Sequence, residues 1–318
     1  MLKICVVGGG GYTGRCLVES LLRESPGAEI SVVDACWFGS FPSRWKGCVE
    51  IYEGDIRTLD FHEIFDGVEV VVHLANIAND PAVDLNPSLS WEVNVLALQN
   101  MITAAIGCGV RQFVYASSGS VYGVSEQDRV DEDSALKPIS TYNKTKMIAE
   151  RVALSFAEEI TISIVRPATV CGVSERMRLD VAVNALTYSA LSTGEIVVDG
   201  GDQIRPNVHI NDLIAFYQFV IGENLAGVFN CGFENMSILD IARLVKDELA
   251  EYSITITRSG ANDPRSYRIS SDKALASGFE PKFGVRDAIS DIRSWYEDGG
   301  RGGDECHTVR RMLQLGIK

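Results

Sequence analysis

The sequence has no surplus of basic residues. Twenty-nine Lys and Arg stand against 43 Asp and Glu, for a formal charge of −14. Neutralising the phosphates of a nucleic acid needs clustered cations, so a general nucleic-acid binder is not expected. One local basic pocket for a phosphorylated small molecule remains compatible with this balance. No apolar run is long enough to span a bilayer, and the start lacks a basic segment followed by a long apolar one. Neither a membrane span nor a secretory signal is therefore expected. Histidines number only four, and none of the eight cysteines stands in C-x-x-C spacing, so no metal site is expected. Scattered cysteines in a long chain read as small buried hydrophobes in a reducing cytoplasm. Internal repeats, low-complexity tracts and an obvious linker are lacking too.

What is present is a 318-residue chain with 46% apolar residues. That length suits about two domains with a sizeable core. Short β-branched runs alternate with amphipathic stretches. Strands are read at Leu2–Val7, Glu29–Asp34, Val49–Tyr52, Glu69–Leu74, Phe113–Ala116 and Ile160–Arg166, and helices at Gly14–Leu22, Trp91–Cys108 and Thr141–Phe156. The near-continuous apolar run Val70-Val71-Val72 suits a parallel strand buried on both faces. This alternation implies an α/β fold with a doubly wound parallel sheet. Beyond Val170 the pattern is less regular, with helices at Asp180–Leu191, Ser237–Ala250 and Val285–Tyr296 and a strand near Ile196–Val198. We expect residues 1–170 to form the sheet domain, with return segments near 203–231. Residues 171–318 would form mainly a smaller, interleaved domain. The stretch Asp298–Gly303 reads as a loop before a terminal segment without an assigned docking site.

Gly8, Gly11 and Gly14 form G-x-x-G-x-x-G between the first strand and the first helix, around Tyr12 and Thr13. Such a turn leaves bare backbone on which a pyrophosphate can sit against the helix N-terminus. Asp34 follows about 20 residues later, at the end of the second strand. A carboxylate there can accept from a ribose 2′-hydroxyl and repels a 2′-phosphate, which favours NAD over NADP. Tyr142 and Lys146 are the chain's single Y-x-x-x-K. On a helix these positions share a face, and an ammonium beside a phenol favours the phenolate, a general base. Ser118, in Ser117-Ser118-Gly119-Ser120 after a buried strand, could hold a substrate oxygen during proton transfer. Taken alone, each of these motifs also fits an ordinary turn or surface pair.

Together, the glycine turn, His73-Leu74-Ala75, Ser118, Tyr142 and Lys146 resemble the extended short-chain dehydrogenase/reductases, in the nucleotide-sugar epimerase/dehydratase branch. The resemblance covers nearly the whole chain. Gly54-Asp55-Ile56-Arg57 looks like the segment whose Asp55 and Ile56 would contact adenine, and Ile164-Val165-Arg166-Pro167-Ala168 like the strand end beside the nicotinamide. Arg205-Pro206-Asn207-Val208-His209-Ile210-Asn211-Asp212 matches R-x-x-V-H-x-x-D. The resemblance implies a Rossmann-type domain and a smaller substrate domain. Its cofactor would be NAD, bound by Gly8, Gly11, Tyr12, Thr13, Gly14, Asp34, Asp55, Ile56, Leu74, Ala75, Asn94, Tyr142, Lys146 and Pro167. It implies a nucleotide-diphosphate sugar held by Ser118, Ser120, Asn184, Arg205 and Arg265, and a homodimer through the helices at 91–108 and 141–156.

Several reactions share this scaffold. The 4,6-dehydratases carry an Asp-Glu pair after the catalytic hydroxyl residue, and the decarboxylases typically a Glu. Here Gly119 and Ser120 stand there, and neither is a good acid or base. A C4 epimerase needs no further acid or base, so it is the leading expectation. A nucleotide-sugar dehydrogenase or 4-ketoreductase is the alternative. A non-catalytic NAD-binding scaffold would be expected to lack Tyr142 or Lys146. Asn76 and Asn79 replace a usually apolar stretch, and the loop from Arg176 to Asn184 is short, so both would remodel the sugar pocket.

Overall fold

The structure, a computed structural model, describes residues 2–124, 127–260 and 266–318. Strand β1 (Lys3–Val7) turns through the glycines into helix α1 (Tyr12–Glu24). Strands β2 (Glu29–Asp34) and β3 (Glu50–Glu53) follow, then the single turn α2 (Phe61–Ile64) and β4 (Val70–His73). Short helices α3 (Asp80–Leu85) and α4 (Pro87–Trp91) lead through a π-helical stretch, Glu92–Leu96, into α5 (Ala97–Gly107). Strand β5 (Gln112–Ala116) is followed by a 3₁₀ turn at Gly119–Tyr122, helix α6 (Thr141–Leu154) and β6 (Thr161–Pro167). Beyond it run β7 (Thr169–Cys171), α7 (Ala182–Thr193), β8 (Glu195–Asp199) and β9 (Ile204–His209). Next come α8 (Ile210–Gly222), β10 (Gly227–Cys231), β11 (Glu234–Ser237) and α9 (Ile238–Glu248). The chain closes with β12 (Thr255–Ser259), α10 (Asp272–Ala276), α11 (Val285–Glu297) and α12 (Thr308–Gln314).

Seven strands form one sheet in the order β3-β2-β1-β4-β5-β6-β10, all parallel. This is the doubly wound Rossmann arrangement that the apolar runs imply. Both faces of the central strands are covered: Val70, Val71 and Val72 are fully buried. One face packs on Leu17, Val18, Phe216 and Tyr217 of α1 and α8; the other packs on Leu98, Met101 and Ala149 of α5 and α6. A third core gathers Val183, Ile196, Ile241 and Ile289 from α7, β8, α9 and α11. Strand order reverses between β1 and β4, so a crevice opens there at the carboxyl ends of the strands.

Two readings from the sequence need adjustment. The single helix read over 91–108 is interrupted by the π-helical stretch at 92–96. Asn94 sits in that stretch, accepting from the Ile77 amide at 2.8 Å and donating to the Ile77 carbonyl at 3.1 Å. The helix bulges where it grips the loop after β4, which apolar periodicity cannot register. The terminal segment forms α12, which docks against α3 and the loop after β2 through Arg311 Nε on the Trp37 carbonyl, at 2.6 Å.

Helix α6 is tied to the sheet by a buried ion pair. Arg166 of β6 donates from Nε and Nη2 to the two oxygens of Glu150, at 2.9 and 2.7 Å. Both side chains are at most 4% exposed. Ser117 Oγ donates to the same carboxylate, and Arg166 Nη1 donates to the Tyr122 hydroxyl at 2.7 Å. Removing one partner strands the other charge in the core. Glu150→Ala is therefore expected to cost about 3–5 kcal/mol in urea unfolding. The double change Glu150→Leu with Arg166→Met should recover most of that loss, because no charge is then left buried.

Candidate active site

The glycine turn has the shape of a phosphate cradle. Gly8 lies at φ +89°, and a Cβ there would run into the backbone of Ala75. A Cβ on Gly14 would strike the carbonyl of Gly8. Helix α1 starts from Gly11 without a side-chain cap, so its first amides stay available to an anion. Asp34 closes the turn from β2. Its carboxylate accepts from the Gly10 amide at 2.9 Å and the Cys36 amide at 2.8 Å. Burial raises the Asp34 carboxyl above its ordinary value, against the pull of those two hydrogen bonds.

On the other side of the crevice, Ser140 caps α6 by accepting from the Asn143 amide at 3.1 Å. The cap also hydrogen-bonds Asp80 of α3 and so fixes where α6 begins. Tyr142 is the second residue of the helix and lines the cleft together with Ser118. Ser118 Oγ lies 2.8 Å from Ser120 Oγ. Burial pushes the Tyr142 phenol up to about 12, while Ser118 and the charge of Arg178 pull it down. Lys146 is buried one turn below. Its Nζ donates to the Ala116 carbonyl at 2.7 Å and lies 4.9 Å from the centre of the Tyr115 ring. Burial lowers this ammonium to about 7, and the Glu150 carboxylate offsets part of that.

One cleft of about 900 Å³ joins these parts. It is lined by Gly8, Gly11, Tyr12, Thr13, Gly14, Leu74, Ser118, Ser120, Tyr142, Pro167 and Arg205. Other expected residues stand outside it or beneath its wall. Ala75 packs on Gly8, and Ile56 is buried in the core. Asp55 is held by Arg57 Nη2 at 2.7 Å, and Asn94 is spent on the Ile77 backbone. Asn184 does not face the cleft. Its Oδ1 accepts from the Gly172 amide at 3.0 Å, and its Nδ2 donates to the Arg178 carbonyl at 2.8 Å and the Tyr12 hydroxyl at 3.2 Å. Its amide holds the loop between β7 and α7, a contact that a sequence match to a sugar-facing asparagine does not separate from ligand binding. Arg265 lies outside the described residues.

The same loop brings in residues that the sequence reading did not assign. Arg176 and Arg178 both line the cleft. Arg178 Nε donates to Asp180 at 2.9 Å. Burial alone would raise Asp180, but Arg178 and the Thr308 amide together hold it well below the usual carboxylate range. Asn143, next to Tyr142, has both side-chain polar atoms buried without a partner, as have the Tyr115 hydroxyl and both ring nitrogens of His73. Unpaired polar atoms gathered at one place mark a site built for something more than packing. The signal for the arginines was their pairing, two apart, in a short loop.

The Lys146 environment has a consequence for stability. The folded side chain titrates near 7, against an ordinary value of 10.5 in an unfolded chain. Between those values the unfolded chain holds a proton that the folded chain has released, so this residue's contribution to stability rises with pH. In urea unfolding at pH 7, 8 and 9, wild type is expected to gain steadily on Lys146→Met. A constant gap would show that the ammonium is not depressed.

Comparison with known proteins agrees with this geometry. The model of the NAD dependent epimerase/dehydratase family matches residues 4–232. A UDP-glucose 4-epimerase of Lactobacillus helveticus is 27% identical, over 95% of this chain and 99% of its own. The uncharacterized UDP-glucose epimerase YtcB of Bacillus subtilis is 30% identical, over 77% of this chain and 82% of its own. Among solved structures, a UDP-glucuronic acid 4-epimerase from Bacillus cereus in complex with UDP-glucuronic acid and NAD superposes with a TM-score of 0.82. It is 25% identical, covering 93% of this chain and 99% of that one.

Proposed function

The chain belongs to the NAD dependent epimerase/dehydratase family, and within it we propose that it is a nucleotide-diphosphate-sugar epimerase acting at C4. The observation that carries this reading is that Tyr142 and Ser118 line one cleft, Ser118 pulling the phenol down, with Gly119 and Ser120 beside them. The site holds what proton transfer at one hydroxyl needs. The positions after Ser118 lack the acid and base that elimination would need. UDP-sugar epimerases among the relatives support the same choice.

The residues present fit NAD: a Cβ at Gly8 or Gly14 would strike backbone in the turn, and Asp34 stands where a 2′-phosphate would meet a carboxylate. Gly11, Tyr12 and Thr13 would hold its phosphates, Asp34 its adenine ribose, Asp55 and Ile56 its adenine, and Leu74 and Pro167 the nicotinamide end. NAD, when bound, supplies the acceptor that takes the C4 hydride and gives it back. Tyr142 takes the C4 hydroxyl proton at its phenolic oxygen while Ser118 donates to the oxygen that becomes the ketone. Lys146, one turn along α6, would favour the phenolate when it carries its proton. After the 4-keto sugar turns over, C4 presents its other face to the returning hydride and Tyr142 gives the proton back to the same oxygen. Arg205 would hold the substrate diphosphate, for which a guanidinium fork is suited, and Arg265 would join it. We place the protein in the cytoplasm, where its eight free thiols stay reduced, as a homodimer through α5 and α6.

Incubating the protein with a panel of nucleotide sugars and following the products by NMR tests the reaction. Interconversion of C4 epimers without net NADH is expected. Tyr142→Phe should lose about 10²–10⁴-fold in rate while melting like wild type. A keto-sugar with stoichiometric NADH would favour a dehydrogenase, and a 4-keto-6-deoxy product would refute the argument from Gly119 and Ser120.

A further inference from the structure

Arg176 is a buried cation that makes no ion pair among the described residues. Its side chain is 6% exposed, and its Nε is buried with no hydrogen-bond partner. The guanidinium carbon sits 4.0 Å from the centre of the Phe38 ring, in the loop that follows Asp34. Its charge is felt at Asp34 and at Tyr12, on either side of the glycine turn. The guanidinium lines the same cleft as Gly11, Tyr12 and Thr13 at the uncapped start of α1. Asp34 does not neutralise it, because that carboxylate is engaged with the Gly10 and Cys36 amides. Asp180 serves Arg178, Asn79 and the Thr308 amide instead. Burial and the like charge of Arg178 depress Arg176 to about 10. A lone buried guanidinium is costly, and a site that keeps one is complete only with an anion.

The C-terminal segment completes the enclosure. His307, Thr308 and Met312 line the same cleft. The segment is fastened at one end to Asp180, by the Thr308 amide at 2.9 Å, and to the Trp37 carbonyl by Arg311. The guanidinium borders the same cleft with little exposure, which strengthens any charge-assisted bond formed there.

We infer that Arg176 binds the pyrophosphate of the dinucleotide, opposite the glycine turn, so that the bridging phosphates lie between backbone amides on one side and a guanidinium fork on the other. This assignment rests on the cofactor reading above. It places Arg176 in the adenosyl half of the cleft and leaves the substrate diphosphate to Arg205.

Calorimetric titration of nucleotide-free protein with ADP-ribose, adenosine and UDP tests it. Arg176→Ala is expected to weaken ADP-ribose by about 10-fold or more, the loss of a charge-assisted contact. Adenosine and UDP affinity should be unchanged. Arg176→Lys, which keeps the charge but loses the fork, should fall between; should the alanine variant fail to fold, Arg176→Gln takes its place with the same expected loss. Unchanged ADP-ribose affinity in a folded variant would overturn the assignment, as would a loss directed at UDP. A loss confined to ADP-ribose bearing a 2′-phosphate would overturn it too, in favour of a ribose-phosphate role. Wild type that binds ADP-ribose but epimerises no sugar would refute the reaction and leave this assignment standing.

Discussion

The pair Glu150–Arg166 is the constraint on which the site depends. It joins α6 to β6 with almost no exposure, and its carboxylate also receives Ser117, the residue before Ser118. One carboxylate thus sets the distance between the helix that carries Tyr142 and Lys146 and the strand end that carries Ser118. An ion pair in the core is a poor source of net stability compared with apolar packing. What it provides here is register: α6 cannot rotate or slide without stranding a charge. The same carboxylate opposes the depression of Lys146, so structural and electrostatic roles meet in one group.

Charge is distributed against the average. The chain is acidic overall, yet its cleft is lined by Arg176, Arg178 and Arg205, with Asp80, Asp180 and Asp199 as the opposing carboxylates. Each of these arginines lies on a different local support: a loop pinned by the Asn184 amide, an ion pair with Asp180, and strand β9. Arginines gathered in the cleft of an otherwise acidic chain, Arg310 of α12 among them, suit a small polyanionic ligand. Helix α1 adds its own partial charge at the same place, since nothing caps its first turn.

The main sheet was legible in the sequence because its strands are buried on both faces. Val70-Val71-Val72 and Ile4-Cys5-Val6-Val7 read as strands buried on both faces, and their alternation with helices implies a doubly wound parallel sheet. The glycine turn and the Ser118–Tyr142 pairing were legible as well, since the motif geometry is local to a strand end and a helix start. The Lys146 contact was not. Helical spacing puts it on the Tyr142 face, but its long chain bends to the Ala116 carbonyl, which spacing cannot specify. The π-helical stretch escaped because one extra residue per turn hides within an apolar helix pattern. The places of Arg176, in the loop before α7, and of Asn184, in the first turn of α7, are set by tertiary hydrogen bonds that no local pattern encodes. The docking of α12 depends on Trp37 and Asp180, far away in the chain, and no local signal encodes it.

The central claim is that a hydride leaves C4 and returns to C4 within one closed site. The measurement that tests it most directly uses a nucleotide sugar deuterated at C4, with mass and NMR analysis of the epimerised product. The account predicts that the label stays at C4 in both epimers, with none in released cofactor or solvent. Label recovered at C6, in free NADH or in water would contradict it.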